Sequence, residues 1–284
     1  MTLTYVLLGD PVEHSASPEL YAAAFRLLGF DACYRTRRVS AAELGVEMRR
    51  LAAQGGGGNV TLPHKLPAAL LLDERTESVS RTGACNCFWG TPHGSLAGDN
   101  TDVGGFLRAA RRLTRRAGSR IEGAAVLVLG AGGAARAVLV GLAEGGAASV
   151  DILNRSPERA LRMLEELQLG EGSPGARVLH GADEAAGRYD LVINATSLGL
   201  RAADRLPLDL SGLEARAALD CVYGPLGTRW TRHAAARGIP ATDGLAMLVE
   251  QARLSVRNWL GIEPDVGPLQ EAATAGLAGR QGGL

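Results

Sequence analysis

Ala125-Val126-Leu127-Val128-Leu129-Gly130-Ala131-Gly132-Gly133-Ala134-Ala135 is the stretch on which the reading of this chain turns. Five apolar residues run straight into a glycine cluster, and helical spacing follows to about Glu144. A short continuous apolar run of this kind reads as a buried parallel strand. The pattern G-x-G-x-x-A has the context that gives it meaning, with a strand before it and a helix after it. Gly130 permits the tight turn. Gly132 lets a pyrophosphate come close to the backbone, and Ala135 is small enough where helix meets strand. Gly130, Ala131, Gly132, Gly133 and Ala134 are therefore expected to hold a dinucleotide at a helix N-terminus.

Downstream, Ser149–Leu153 reads as the next strand and ends in Asn154-Arg155-Ser156. An acidic residue at this point would bind the 2′-hydroxyl of NAD and repel a 2′-phosphate. The chain has Asn154 and Arg155 there, with Arg159 one turn further on, and Asp151 comes too early. NADP is the reading, although Arg155 and Arg159 also suit an ordinary solvated surface. The strand Asp190–Ile193 leads into Asn194-Ala195-Thr196-Ser197-Leu198-Gly199, small polar residues fit to pack beside a nicotinamide. Ala217–Tyr223 is a further strand, Thr231–Gly238 a helix, and Ile239–Thr242 a last short strand. Asp243-Gly244 opens a long helix to Leu260 with Gln251 near its middle. A short helix near Leu269–Leu277 and a glycine-rich disordered tail complete the chain.

Upstream, Tyr5–Gly9 is an apolar strand. Ser17-Pro18 has the form of a Ser N-cap with Pro at the first helical position, opening a helix to about Leu28. Ser15 is not explained by capping, and two hydroxyls at a helix start suit a carboxylate or phosphate. Ala32–Val39 reads as a strand, Ala41–Ala53 as a helix and Asn59–Thr61 as a third strand. Leu66–Val79 reads as helix, and Gly83–Trp89 with Ser95–Gly98 as a hairpin around Thr91–Gly94. A helix runs from about Val103 to Arg116, with Asp102 readable as its N-cap. Strand–helix alternation followed by a hairpin predicts a mixed sheet, and residues 117–123 make a plausible border before the dinucleotide segment.

Lys65 stands out by composition. Lys and Arg number 30, and Lys65 is the only lysine. It follows the third strand, close to Thr61 and His64. An ammonium can be tuned and can give up its proton, which arginine does not do in proteins. Asp102 is the carboxylate that could orient it and relay its proton. Chance retention of one lysine is the competing reading.

The remaining bounds are negative. The 284 residues favour two domains. A formal net charge of zero gives no general attraction to nucleic acid or anionic membrane. No apolar run approaches the ~20 residues of a membrane span. The N-terminus lacks the basic flank of a signal peptide. Cys33, Cys85, Cys87 and Cys221 show no zinc spacing, so no metal is expected, and reduced cysteines suit a cytoplasmic protein. Phosphate-loop, nucleophile-elbow and zinc-protease patterns are absent, which leaves hydride transfer.

The ordered motifs resemble the shikimate dehydrogenase family. They are Gly9-Asp10-Pro11 with His14-Ser15-x-Ser17-Pro18, Asn59-Val60-Thr61-x-Pro63-His64-Lys65, Gly83-Ala84-x-Asn86 and Gly98-Asp99-Asn100-Thr101-Asp102. Gly130–Ala134, Asn154-Arg155, Asn194-Ala195-Thr196-Ser197-x-Gly199 and Asp243-Gly244-x-x-Met247-Leu248-x-x-Gln251 continue the match over nearly the whole length. The resemblance implies an α/β protein of two domains with the active site in the cleft between them. Residues 1–102 with 239–284 would form a mixed-sheet substrate domain, and 103–238 a Rossmann-type NADP domain. It implies NADPH-dependent reduction of 3-dehydroshikimate to shikimate, in the cytoplasm, with Lys65 and Asp102 as the catalytic pair. Ser15, Ser17, Thr61, Lys65, Asn86, Asp102, Tyr223 and Gln251 would bind substrate. Thr196, Val222 and Gly244 would join the glycine loop, Asn154, Arg155 and Arg159 at the cofactor. Cys87 departs from the Thr common in the family after this Asn, which leaves the fine placement of Asn86 open. A homodimer is compatible with the reading. A quinate/shikimate dehydrogenase using NAD(P) is the close alternative, and a non-catalytic NADP-binding regulator the distant one.

Overall fold

β1 (Leu3–Gly9) sits inside the first sheet, and its alternation sets up two faces. Val6 and Leu8 join Leu44, Met48, Leu51 and Phe88 in one core cluster. Tyr5 faces the other way and stacks on Trp259 at 4.4 Å between ring centroids. The computed structural model describes residues 2–12, 15–169, 173–185, 187–201 and 203–279. His14, residues 170–172 and the last five residues of the tail lie outside them.

The chain continues through α1 (Ser17–Leu27), β2 (Ala32–Arg38), α2 (Ala41–Ala53), β3 (Gly57–Val60), α3 (Lys65–Leu70), β4 (Glu74–Arg75) and α4 (Glu77–Thr82). β5 (Cys87–Gly90) and β6 (Leu96–Asp99) form the hairpin, and α5 (Thr101–Arg116) leads away from it. The sheet order is β2-β1-β3-β5-β6-β4. β1 is parallel to β2 and β3, while β3–β5 and β5–β6 are antiparallel, so the sheet is mixed as expected. The capping box of Ser40 and Glu43 fixes the start of α2.

The second sheet begins with β7 (Ala125–Leu129), followed by α6 (Gly133–Glu144), β8 (Ser149–Leu153), α7 (Pro157–Leu167) and β9 (Gly175–Leu179). β10 (Arg188–Tyr189), β11 (Leu191–Asn194), β12 (Glu214–Ala215), β13 (Ala218–Asp220), α8 (Arg229–Ala235) and β14 (Ala241–Thr242) follow. The main order is β14-β13-β11-β7-β8-β9, every pair parallel. β7, which carries the glycine loop, is central, and the chain winds outward from it on both sides. This is the Rossmann arrangement that the glycine stretch called for. α9 (Leu245–Leu260) and α10 (Val266–Gly279) close the chain.

Two compact units result: Met1–Gly105 with Leu248–Leu284, and Phe106–Met247. The divides fall inside α5 and α9. β14 pairs with β13, so residues 241–242 belong to the second sheet rather than with the C-terminal helices. Other details also depart from the sequence expectation. The helix predicted over 66–79 is broken, because Asp73 N–H and Thr76 N–H donate to Leu96 and Gly98 carbonyls and β4 pairs with β6. β9 is not among the strands that the sequence predicts. α10 extends well beyond the short helix expected there.

Candidate active site

In the first unit, side chains from four separated stretches meet. Lys65 heads α3 just after the β3 end, Asn86 immediately precedes β5, Asp102 lies in the first turn of α5, and Gln251 is on α9. Lys65 Nζ donates to Asp102 Oδ2 at 2.5 Å. Asn86 Nδ2 donates to Asp102 Oδ1 and to Gln251 Oε1, both at 2.8 Å. The Asn86 Oδ1 accepts from the Thr101 N–H and hydroxyl. Asp102 is 3% exposed, whereas the Lys65 side chain is 18% exposed, so the carboxylate is enclosed and the ammonium reaches the surface. A carboxylate held by a cation on one oxygen and an amide on the other is fixed in direction.

Close helix approach makes this convergence possible. A Cβ at Gly105 would stand 2.9 Å from the backbone N of Gln251, so only glycine allows α5 to lie this near α9. A further layer holds the cluster from behind. Asn59 Nδ2 donates to the Asn86 carbonyl at 3.0 Å and to Ser255 Oγ at 3.1 Å, and its Oδ1 accepts from Tyr34 OH at 2.8 Å. Asp99 accepts from Thr76 and Ser78 hydroxyls, the Asn100 N–H and Asn258 Nδ2, tying α9 to the start of α5.

Ser15 and Ser17 sit at the start of α1. The N-cap is Ala16, not Ser17. Ser15 Oγ donates to Ser17 Oγ at 3.0 Å and accepts the Ser17 N–H at 3.2 Å. Asp102 is likewise not the cap of α5, because Asn100 Oδ1 accepts the Asp102 N–H while the Asp102 carboxylate faces Lys65 and Asn86. Thr61 is half-buried directly after β3.

In the second unit, Gly130 has φ +110° and ends β7, and a Cβ there would meet Thr196 Cγ2 at 2.9 Å and the Ala195 carbonyl oxygen at 3.0 Å. Gly132 is the N-cap of α6 without a side-chain cap, and a Cβ there would meet nothing within 4 Å. Gly132 thus leaves room at the start of a 12-residue helix, whose first N–H groups suit a pyrophosphate. Asn154 Nδ2 donates to the Ser156 carbonyl at 2.9 Å. Arg155 and Arg159 are exposed and, among the described residues, not ion-paired. Asp151 is held by Arg177 and by the Tyr189 hydroxyl at 2.6 Å, and the Arg177 contact lowers its carboxyl pKa. Gly244 N–H donates to the Val222 carbonyl at 2.9 Å. These groups fit a dinucleotide with a 2′-phosphate.

Family models match three stretches. The shikimate dehydrogenase substrate binding domain covers residues 7–88, shikimate / quinate 5-dehydrogenase residues 112–201, and the shikimate 5′-dehydrogenase C-terminal domain residues 244–274. The chain belongs to the shikimate dehydrogenase family. The shikimate dehydrogenase (NADP(+)) of Rubrobacter xylanophilus is 42% identical over 94% of this chain and 93% of that one. The one from Geobacillus kaustophilus is 36% identical over 98% and 99%. The crystal structure of shikimate 5-dehydrogenase from Thermus thermophilus in complex with NADP(H) and shikimate aligns with a TM-score of 0.85 at 36% identity, over 97% of this chain and 100% of that one.

Of the residues expected at the substrate of a shikimate dehydrogenase, Lys65, Asn86, Asp102 and Gln251 are linked by direct contacts, and Ser15 and Ser17 form a separate hydroxyl pair in the same unit. Tyr223 belongs to the second unit, after β13. Asn59, Thr101 and Ser255 were not singled out from sequence. A signal existed for two of them. Asn59 lies two residues before Thr61 and so on the same side of an extended chain, and Ser255 is one helical turn from Gln251.

Proposed function

We propose that this member of the family is an NADPH-dependent shikimate dehydrogenase, reducing 3-dehydroshikimate reversibly to shikimate, with Lys65 and Asp102 as the catalytic pair. The observation that carries the reading is the 2.5 Å contact of the chain's single lysine with an enclosed carboxylate. Membership of the family supplies the substrate class. NADPH, when bound, supplies the hydride to carbon 3. As the ketone is reduced its oxygen gains negative charge, and the Lys65 ammonium stabilises that charge and gives its proton to the oxygen. Asp102 keeps the ammonium aimed, and water returns the proton to Lys65. In the oxidative direction neutral Lys65 takes the hydroxyl proton instead. Asn86 and Gln251 take ring hydroxyls together with Thr61, and Ser15 and Ser17 take the ring carboxylate, with Tyr223 as a further substrate ligand.

In this reading the first unit, residues 1–105 with 248–284, acts as the substrate domain and the second, residues 106–247, as the NADP domain. Gly130–Ala134 take the pyrophosphate, Asn154, Arg155 and Arg159 the adenosine 2′-phosphate, and Thr196, Val222 and Gly244 the nicotinamide end. The enzyme works in the cytoplasm on a small-molecule substrate. No helix of the described residues is long and apolar enough to cross a membrane.

Steady-state rates with shikimate and quinate, each with NADP and NAD, test the reading. The expected result is the highest kcat/KM with shikimate and NADP. Faster quinate oxidation with NAD would replace it by a quinate dehydrogenase. Loss of NADP preference in Arg155→Ala with Arg159→Ala is expected if these arginines hold the 2′-phosphate, and an unchanged preference would remove them from that role.

A further inference from the structure

Asp220, at the end of β13, is fully buried. Its Oδ1 accepts from Asn194 Nδ2 at 2.7 Å and from the Val222 N–H at 3.0 Å, and its Oδ2 accepts the Thr228 hydroxyl at 2.6 Å. Among the described residues no cation is paired with it. A buried carboxylate without a cation is costly, yet three donors from three segments converge on this one. Only an acceptor-only group takes all three, since an amide would turn an N–H toward one of them.

What the carboxylate holds is the far side of the glycine loop. Asn194, pinned through its Nδ2, turns its Oδ1 to the Thr196 N–H at 3.0 Å and hydroxyl at 2.7 Å. The same Nδ2 donates to the Leu198 carbonyl, and Thr196 Oγ1 accepts the Leu198 N–H, so the loop after β11 is tied at both ends of this turn. Thr196 in turn lies against Gly130. β13, β11 and β7 are adjacent in the sheet, and the chain Asp220–Asn194–Thr196–Gly130 runs across their three ends. The other oxygen reaches the Thr228 cap of α8, and the Val222 contact fixes the segment whose carbonyl receives Gly244 N–H.

We propose that Asp220 is a positioning residue for the dinucleotide: it sets the loop of Thr196 and the segment of Val222 in the shape that receives the cofactor, and so governs cofactor affinity rather than the chemical step. This rests on the reading of the second unit as the NADP-binding one. Burial, with Asp243 adding repulsion, also pushes the Asp220 carboxyl up to about 6, in keeping with a group held for its acceptor geometry and not for an ion pair.

The test is a fluorescence titration of the full chain with NADPH, for wild type, Asp220→Ala and Asp220→Asn, together with steady-state kinetics. Losing a charged acceptor from a preorganised loop is expected to raise the NADPH Kd about tenfold in Asp220→Ala. Asp220→Asn keeps the shape and two acceptor contacts, and a rise of about threefold is expected. For both, kcat at saturating NADPH and KM for shikimate stay within about threefold of wild type. Unchanged Kd in both variants would overturn the proposal. So would fewer binding sites per chain at unchanged Kd, which is the mark of a purely structural role. Wild type failing to bind NADPH would overturn the dinucleotide reading itself, and the proposal with it.

Discussion

Ser17 and Asp102 show how one side chain at a helix start can be read two ways. Each has a residue type that caps helices, and each sits where a cap is expected. The structure gives the caps to Ala16 and Asn100, leaving the Ser17 hydroxyl to Ser15 and the Asp102 carboxylate to Lys65 and Asn86. Ser17→Ala should therefore leave α1 intact and act on substrate binding. KM for shikimate is expected to rise about tenfold with kcat changed little, as steady-state assays would register; a falling melting temperature with unchanged KM would return Ser17 to a structural role. Asp220 gives a pH prediction. Its carboxyl is raised from 3.8 to about 6, so the folded state holds the proton more tightly than the unfolded one. The group's stabilisation is complete below pH 3.8 and is lost as pH rises through about 6, a change of up to about 3 kcal/mol. Urea denaturation across this window should show that slope in wild type and a flatter one in Asp220→Asn; parallel slopes would contradict it. Lys65 was legible because it is alone of its kind, whereas Asp220 was not, because its importance lies in donors brought to it from separate segments.

The glycine turn between β7 and α6 separates two demands that the sequence motif states together. Gly130 is strained for any other residue, by its positive φ and by Thr196 and Ala195 close by, while Gly132 opens onto empty space. Gly130→Ala is expected to cost about 1–3 kcal/mol in urea denaturation. Gly132→Ala should leave stability unchanged and raise the KM for NADPH, because its methyl group fills the approach of the pyrophosphate. Equal effects of both changes on stability would show that the two positions are not distinguished. Buried strands such as β7, β11 and β13 were readable as apolar runs. β9 was missed because it is mostly exposed and carries no apolar alternation, and β4 because it is only two residues long inside a stretch of good helix formers.

The two six-stranded sheets, one mixed and one parallel, each with its own core, were legible from the order of strand and helix signals, and the glycine stretch identified the second. The borders were less so. α5 and α9 run through them without a turn, and a helix leaves no composition shift where contacts change hands. If the second unit takes the dinucleotide, NADPH at 100 times its Kd should stabilise that unit by about 2.7 kcal/mol, visible in calorimetry as a rise of several degrees in its transition. The most direct test of the whole account is the rate of NADP reduction by shikimate in wild type and in Lys65→Ala. A fall in kcat of about 10²–10⁴ with little change in either KM is expected, since the ammonium acts mainly as charge develops on oxygen. An unchanged kcat would contradict the account, because it would leave the single lysine and its 2.5 Å carboxylate contact without a part in the chemistry.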